Sequence, residues 1–426
     1  MSSMSVDHRV PTPDPGRGAA EAFVAGHLFQ WCLEHDRPGG EIQSSDRFRG
    51  GQTEADRRLA AFDVVGYARR RNEAYPEPAR GASRLSPYIR HGLLSLPRTW
   101  DAVADGPTSD AAKFRDELLW QEYARHWYAR LGSATARPLR RSYPAASDPP
   151  GDPSEIWDQD MACLELTIDE LEDDGWLVNQ TRMWLASHWT VRHGLGWRAG
   201  EDYFFRHLLD GSRAANRLGW QWTSGVGSNR PYGFSRWQVE KRAPGLCASC
   251  ELGAACPIDE WPDDPESIRV DTDPRIRRDD DPAATAGPRE PERVPGAPAP
   301  GAVWLTAESL GDADPALVAN PNLPAVFVFD GPLLARLRLS SKRLVFLTET
   351  LAELATRRPV ELHIGDPVEV LAGRAVATTF APVPGWRRRA AAIGPVEVHP
   401  WRWLRRPIGT SVGSFSAWAK RADGRG

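Results

Sequence analysis

From about Ala19 to Gly245 apolar residues recur at spacings of three and four, as in DELLWQEYARHWYARL (116–131) and EDYFFRHLLDG (201–211), with few β-branched runs. That period predicts a mostly α-helical region. The pattern then stops: residues 262–300 hold 9 prolines, 12 residues from Asp259 onward are acidic, and hydrophobes nearly vanish. An extended, mobile linker is expected there. Beyond it, AVWL (302–305), AVFVFD (325–330), VELHIG (360–365) and VEVHP (396–400) are short apolar runs of strand type, divided by SKRLVFLTETLAELATR (341–357), whose period is helical. The alternation predicts an open α/β sheet of about 110 residues. The expected class is α + α/β: an N-terminal, partly helical extension (1–50), a helical domain carrying a cysteine cluster (51–261), the linker (262–300) and a smaller α/β domain (301–426). No internal repeat is evident.

At 426 residues there is room for two or three domains, and 41% apolar with 26% charged residues is ordinary for a globular protein. No apolar run approaches the roughly 18 residues of a membrane span. The opening MSSMSVDHRVPTPDPGRG lacks the charged-then-apolar order of a secretory signal, so a cytoplasmic protein without a membrane partner is expected. The net charge of -4 argues against a nucleic-acid partner until it is divided by segment. Residues 57–141 carry 16 Lys/Arg against 9 Asp/Glu, residues 182–242 carry 10 against 4, and residues 148–174 between them hold 11 acids and no base. Two basic segments that converge on one face would attract a polyanion, whereas solvated helix faces are the plain alternative.

Five cysteines are too few for a disulfide framework, and Cys247, Cys250 and Cys256 crowd into CASCELGAAC. A metal or cluster is indicated. Cys32 and Cys163 lie apart from that group. On cysteines alone, zinc and an iron–sulfur cluster are equally served.

Five spaced motifs then carry a resemblance: YARRRNEAYPEPARGASRLSPYIRHGLLS (67–95), FRDELLWQEYARHWY (114–128), DDGWLVNQTRMWLASHW (173–189), GWRAGEDYFFRHLLDGSRAANRLGWQW (196–222) and PYGFSRW (231–237). Together they resemble the flavin-binding helical domain of the DNA photolyase and cryptochrome family. The α/β part, with VWLTAESLGDADPAL, VFVFD, LSSKRLVFLTETLAEL, GDPVEVL and SFSAWAK, is similar to that family's Rossmann-like antenna domain, which there comes first. The chain thus looks circularly permuted, with a shortened antenna-like domain. TAES stands where arginines are expected after the first strand, which argues against a second, antenna chromophore.

The resemblance implies bound FAD. Its phosphates would lie on the serine-rich turn of Tyr67, Ser83, Leu85 and Ser86, with Phe114 also at the cofactor, and Ala82 replaces the family's threonine. Hydroxyls and backbone N–H groups where Pro87 begins a helix suit phosphate oxygens, although SRLSP alone reads as a helix cap. Asn216 matches the residue facing flavin N5, Asp210 and Ser212 match the DGD turn, and Arg182 matches the partner of its first acid. Ser212 replaces a charged acceptor by a neutral one. The implied lesion pocket is Glu117, Trp120, Asn179, Met183, Trp222 and Arg71. Glu117 and Trp120 are i and i+3, and Trp176, Asn179 and Met183 are i, i+3 and i+7, so each set is expected on one helix face. Without the family such a Trp and Met stripe reads as core; with it, the indoles would stack on flipped pyrimidines. Trp220 and Trp197 match the first two members of an electron-transfer chain to the flavin, Trp222 facing substrate, and the third member is open, with Trp157 a candidate. Cys163, Cys247, Cys250 and Cys256 resemble the ligands of a 4Fe-4S cluster in the iron–sulfur bacterial branch, zinc remaining the rival. The implied activity is light-dependent repair of UV-damaged DNA by a deoxyribodipyrimidine photo-lyase; a blue-light photosensor or another FAD and iron–sulfur oxidoreductase are the alternatives.

Overall fold

A computed structural model describes residues 8–143, 156–157, 160–262 and 266–421. Residues 1–7 of the N-terminal extension, 144–155 of the PAASDPPGDPSEIW and acidic stretch, and 422–426 of the expected α/β domain lie outside the described residues. Among the described residues nine strands follow in chain order: β1 (Arg9–Val10), β2 (Arg141–Ser142), β3 (Ile268–Arg269), β4 (Glu292–Arg293), β5 (Ala302–Leu305), β6 (Ala325–Asp330), β7 (Val360–Gly365), β8 (Val376–Thr379) and β9 (Glu397–His399). Seven form one sheet in the order β1-β7-β6-β5-β8-β9-β4, and β2 pairs with β3. The β5 to β9 block is parallel, and β1 and β4 cap its edges antiparallel. The strand order reverses beside β5, which in doubly wound sheets opens a crevice at the carboxyl ends of the strands.

The strands AVWL and AVFVFD are buried almost throughout because helices cover both faces, so a continuous apolar run replaces alternation. The helix expected around SKRLVFLTETLAELATR runs from Ser341 to Ala355. Two expectations need correction. The proline-rich segment is not an extended tether throughout: it contains the short helix Pro282–Ala286, started by Asp281 accepting the Ala284 N–H, and β4, paired with β9. Nor is the N-terminal part an appendage, since β1 pairs with β7, and the helix Arg17–His27 sets Phe23 against Phe329 of β6. Edge strands of two residues carry no pattern of their own, so only pairing reveals them.

The helical part centres on Thr108–Leu131, 24 residues long. Around it stand Asn179–Ser187, Trp197–His207, Arg213–Thr223 and Arg236–Arg242. Two segments widen into five-residue π-helical turns, Glu170–Asp174 and His188–Arg192. One apolar core runs from Phe114 and Leu118 through Leu344 to Val303 and Phe327, so the helical and α/β parts share it. A second gathers Trp157, Trp184, Trp189 and Trp220 beside Cys163. Among the described residues no helix is long and apolar enough to cross a membrane.

Candidate flavin and substrate site

Asp110, in the first turn of the long helix, accepts the backbone N–H groups of Gly66 and Ala68, each at 2.8 Å. Those bonds hold its carboxyl below the usual carboxylate range and pin the turn that carries Tyr67 and Arg71. Further along the same helix Glu117 receives Arg71 Nε at 3.0 Å and lies 3.1 Å from Lys113 Nζ. Trp120, one turn on, is 38% exposed. Its ring stacks on Phe415 at 3.8 Å and 9°, a partner from the C-terminal helix whose SFSAWAK sequence reads only as part of the α/β domain.

Asn179 and Met183 share a face of Asn179–Ser187. Trp176 falls before that helix, so the expected three-residue face loses its first member; its indole N–H instead donates to Ser86 Oγ at 3.0 Å. Arg182 donates to Asp210 Oδ2 at 2.7 Å and to the Leu177 carbonyl at 3.1 Å. The expected helix after Leu85 is a single turn, Ser86–Arg90.

Ser212 is an N-cap: its Oγ accepts the Ala214 N–H at 3.3 Å, and its carbonyl accepts the Asn216 N–H at 2.8 Å, starting Arg213–Thr223. One helical turn then aims Asn216 inward and two turns present the WQW pair. Trp220 is 2% exposed and Trp222 46%, so the two indoles occupy different environments. Gly200 makes room for Trp220, since a Cβ there would lie 2.2 Å from its ring. Trp222 packs beside Tyr232 at 5.6 Å.

These elements enclose a cavity of about 1350 Å³, larger than the roughly 300–1,000 Å³ of an ordinary small-molecule site. Tyr67, Arg71, Ser83, Ser86, Glu117 and Trp120 line it from one side. Asn179, Arg182, Met183, Asp210, Ser212, Asn216, Trp220 and Trp222 line it from the other. Leu85, Phe114 and Trp197 do not line it. Leu85 is fully buried as N-cap of the short helix; Phe114 backs Tyr67 at 5.1 Å; and Trp197 lies in the second core with Arg198 over its ring at 5.1 Å. The cavity also extends to Arg90 and Arg343, which motif reading missed. Both donate to the Gly211 carbonyl, at 2.9 and 3.1 Å, and burial lowers Arg343 to about 9.

Asn216 Nδ2, Asp210 Oδ1 and Trp220 Nε1 are buried without a hydrogen-bond partner. Such atoms cost about 1–3 kcal/mol each unless a ligand meets them. The cavity is thus built for a polar, ring-bearing guest.

Residues 114–242 match the family profile described as the FAD binding domain of DNA photolyase. Over that span the chain is similar to the FAD-binding part of the DNA photolyase and cryptochrome family. Among photolyase relatives, a deoxyribodipyrimidine photo-lyase of Thermus thermophilus is 30% identical over 241 residues, covering 52% of this chain and 45% of that protein. The corresponding protein of a Synechococcus species is 30% identical over 195 residues, 42% of this chain and 39% of its own. The chain therefore spans less than half the length of these curated relatives. A cryptochrome structure from Synechocystis sp. PCC6803 aligns with 47% of this chain and 44% of its own at 23% identity and a TM-score of 0.42. The unpaired polar atoms around Asn216 and Asp210 are a lining that fits FAD, the cofactor named in that profile.

Cys163, Cys247, Cys250 and Cys256 line a second, much smaller cavity closed by Met161, Leu246 and Ile258. Among the described residues no three ligand side chains converge as a bound metal ion requires. Burial and then the three neighbouring thiols push the Cys163 thiol well up, so a thiolate there needs a cationic partner. Cys32, fully buried, is raised to about 12 by burial and bonds only to the Leu28 carbonyl among its sulfur contacts.

Proposed function

We propose that this protein is a light-dependent DNA repair flavoprotein that splits UV-induced pyrimidine dimers. The supporting observation is a single one: Glu117, Trp120, Asn179, Met183 and Trp222 line the same cavity as Asn216 and Asp210. When bound, FAD in its reduced form supplies, on illumination, the electron that opens a cyclobutane ring. The chain's own residues do the rest. Trp222 and Trp120 stack on the flipped bases, each stack being worth roughly 1–3 kcal/mol. Arg71 and Lys113 orient the side chain of Glu117, whose oxygens accept from a base edge, and Asn179 offers an amide to the same edge. Met183 fills space beside them. Asn216 hydrogen-bonds the cofactor without supplying a proton of carboxylic acidity.

The same reading includes a 4Fe-4S cluster held by Cys163, Cys247, Cys250 and Cys256, a circular permutation of the family's domain order, and the division into helical domain, proline-rich segment and α/β domain. The cluster requires about four irons and four sulfides per chain in anaerobic preparations, lost when Cys250 becomes Ser. Stoichiometric zinc would overturn it. One observation favours a second reading, a blue-light photosensor: Phe415 covers a face of Trp120 that a base would use. Illumination of purified protein with prereduced flavin and defined cyclobutane and (6-4) lesions separates the two. Restored pyrimidines support repair; failure to bind or restore either lesion eliminates it.

A further inference from the structure

The family's second electron carrier corresponds to Trp197, yet the rings in contact with Trp220 are others. Trp189 meets Trp220 at 6.5 Å and 85°, and Phe204 meets it at 5.0 Å. Trp189 in turn meets Trp157 at 4.9 Å, and Trp157 meets Tyr203 at 5.5 Å. Among the described residues Trp197 has no such ring contact with Trp220. Four oxidisable rings thus form a continuous file, each less than 4% exposed.

The hydrogen bonds along the file differ in kind. Trp189 Nε1 donates to the Gly196 carbonyl at 2.9 Å and Trp157 Nε1 to the Leu185 carbonyl at 3.0 Å. A backbone carbonyl is too weak a base to take the indole proton. Tyr203 Oη donates to a carboxylate, that of Glu172, whose side chain is 26% exposed with Arg37 at 3.8 Å. Trp189 and Glu172 both sit in the π-helical turns, which re-aim side chains relative to a regular helix.

We propose that Trp220, Trp189, Trp157 and Tyr203 form a proton-coupled electron relay toward the flavin, ending at the Tyr203–Glu172 pair. This rests on FAD occupying the main cavity. Trp220 gives one electron to the light-excited oxidised cofactor and is refilled by Trp189, which is refilled by Trp157. Both indoles keep their protons, so the vacancy moves on. Tyr203 then gives its electron to Trp157 and its phenolic proton to Glu172, leaving a neutral tyrosyl radical. One electron has moved from Tyr203 to the cofactor and one proton from Tyr203 to Glu172. A thiol in solution restores the pair by supplying one electron and one proton, becoming a thiyl radical, while Glu172 releases its proton to water.

The test is flash photolysis and freeze-quench electron paramagnetic resonance on the holoprotein with oxidised FAD, all variants compared at equal flavin absorbance. The parent should show a neutral tyrosyl radical that Tyr203→Phe abolishes and that Glu172→Gln makes shorter-lived. Trp189→Phe should lower the yield of long-lived radical about tenfold, the equivalent of roughly 1.4 kcal/mol in a barrier, and by more than Trp197→Phe does. If Trp189→Phe fails to fold, the Tyr203 and Glu172 variants, which remove only a hydroxyl or a charge, decide alone. FAD-bound parent without a tyrosyl radical, a radical that survives Tyr203→Phe, or a larger loss from Trp197→Phe overturns the relay. A preparation that binds no FAD overturns the cavity reading itself.

Discussion

Trp222 and Glu122 show how differently two side chains of one helical domain are used. Trp222 leaves nearly half its surface open beside the cavity, an unusual expense for an indole unless something stacks on it. On the repair reading proposed above, Trp222→Ala should weaken binding of UV-damaged DNA by about 1–3 kcal/mol in a titration, with flavin content unchanged. Glu122 is fully buried, accepts the Arg405 N–H at 2.9 Å, and is raised by burial from 4.5 to about 7. Its folded form therefore prefers the proton. The stabilisation is complete below pH 4.5 and is lost as pH rises through about 7, because the unfolded chain ionises first. Glu122→Gln should flatten this part of the stability profile between about pH 5 and pH 8, measured by denaturant unfolding at each pH.

At the scale of the element, the turn before Arg213–Thr223 explains why a serine can replace the family's second acid. Ser212 caps the helix that carries Asn216, Trp220 and Trp222, so its oxygen has a structural task whatever it does for the flavin. Ser212→Ala should cost about 0.5–2 kcal/mol of stability, and Ser212→Asp, an equally good cap, should recover it. Chemical denaturation of the three proteins measures both. The element also marks where motif reading ended. It identified the helix from its period and its WQW end from resemblance, but it gave Trp189, the last residue of DDGWLVNQTRMWLASHW, no role. The inward turn that brings it to Trp220 is a π-helical widening, and a single inserted residue leaves little trace in hydrophobic periodicity.

The whole molecule closes on itself through its chain start. The helix Arg17–His27 lies on Ser341–Ala355, and Phe23 fills the core beside Phe329 while β1 extends the sheet. Phe23→Ala should cost about 3–5 kcal/mol and release the α/β part to proteolysis earlier than the helical part, read from fragments in a timed digest. Helical period, apolar strand runs and the spaced aromatic and asparagine motifs are local properties. They sufficed for the α + α/β class and for every parallel strand except β8, while the resemblance carried by the motifs pointed to Tyr67, Glu117, Asn179, Asn216 and Trp222 of the main cavity but not to Arg90 or Arg343. Val376–Thr379 escaped because four small and β-branched residues make no alternation. What joins distant segments was decided only by tertiary packing: Phe415 on Trp120, Arg343 of the α/β part behind the Asp210 turn, the four cysteines around one small cavity, and the file of rings from Trp220 to Tyr203. The physical reason is range. Periodicity reports which face of an element is buried, but which side chains meet across that buried face depends on crossing angles and shared core volume, and these are set by the whole chain at once.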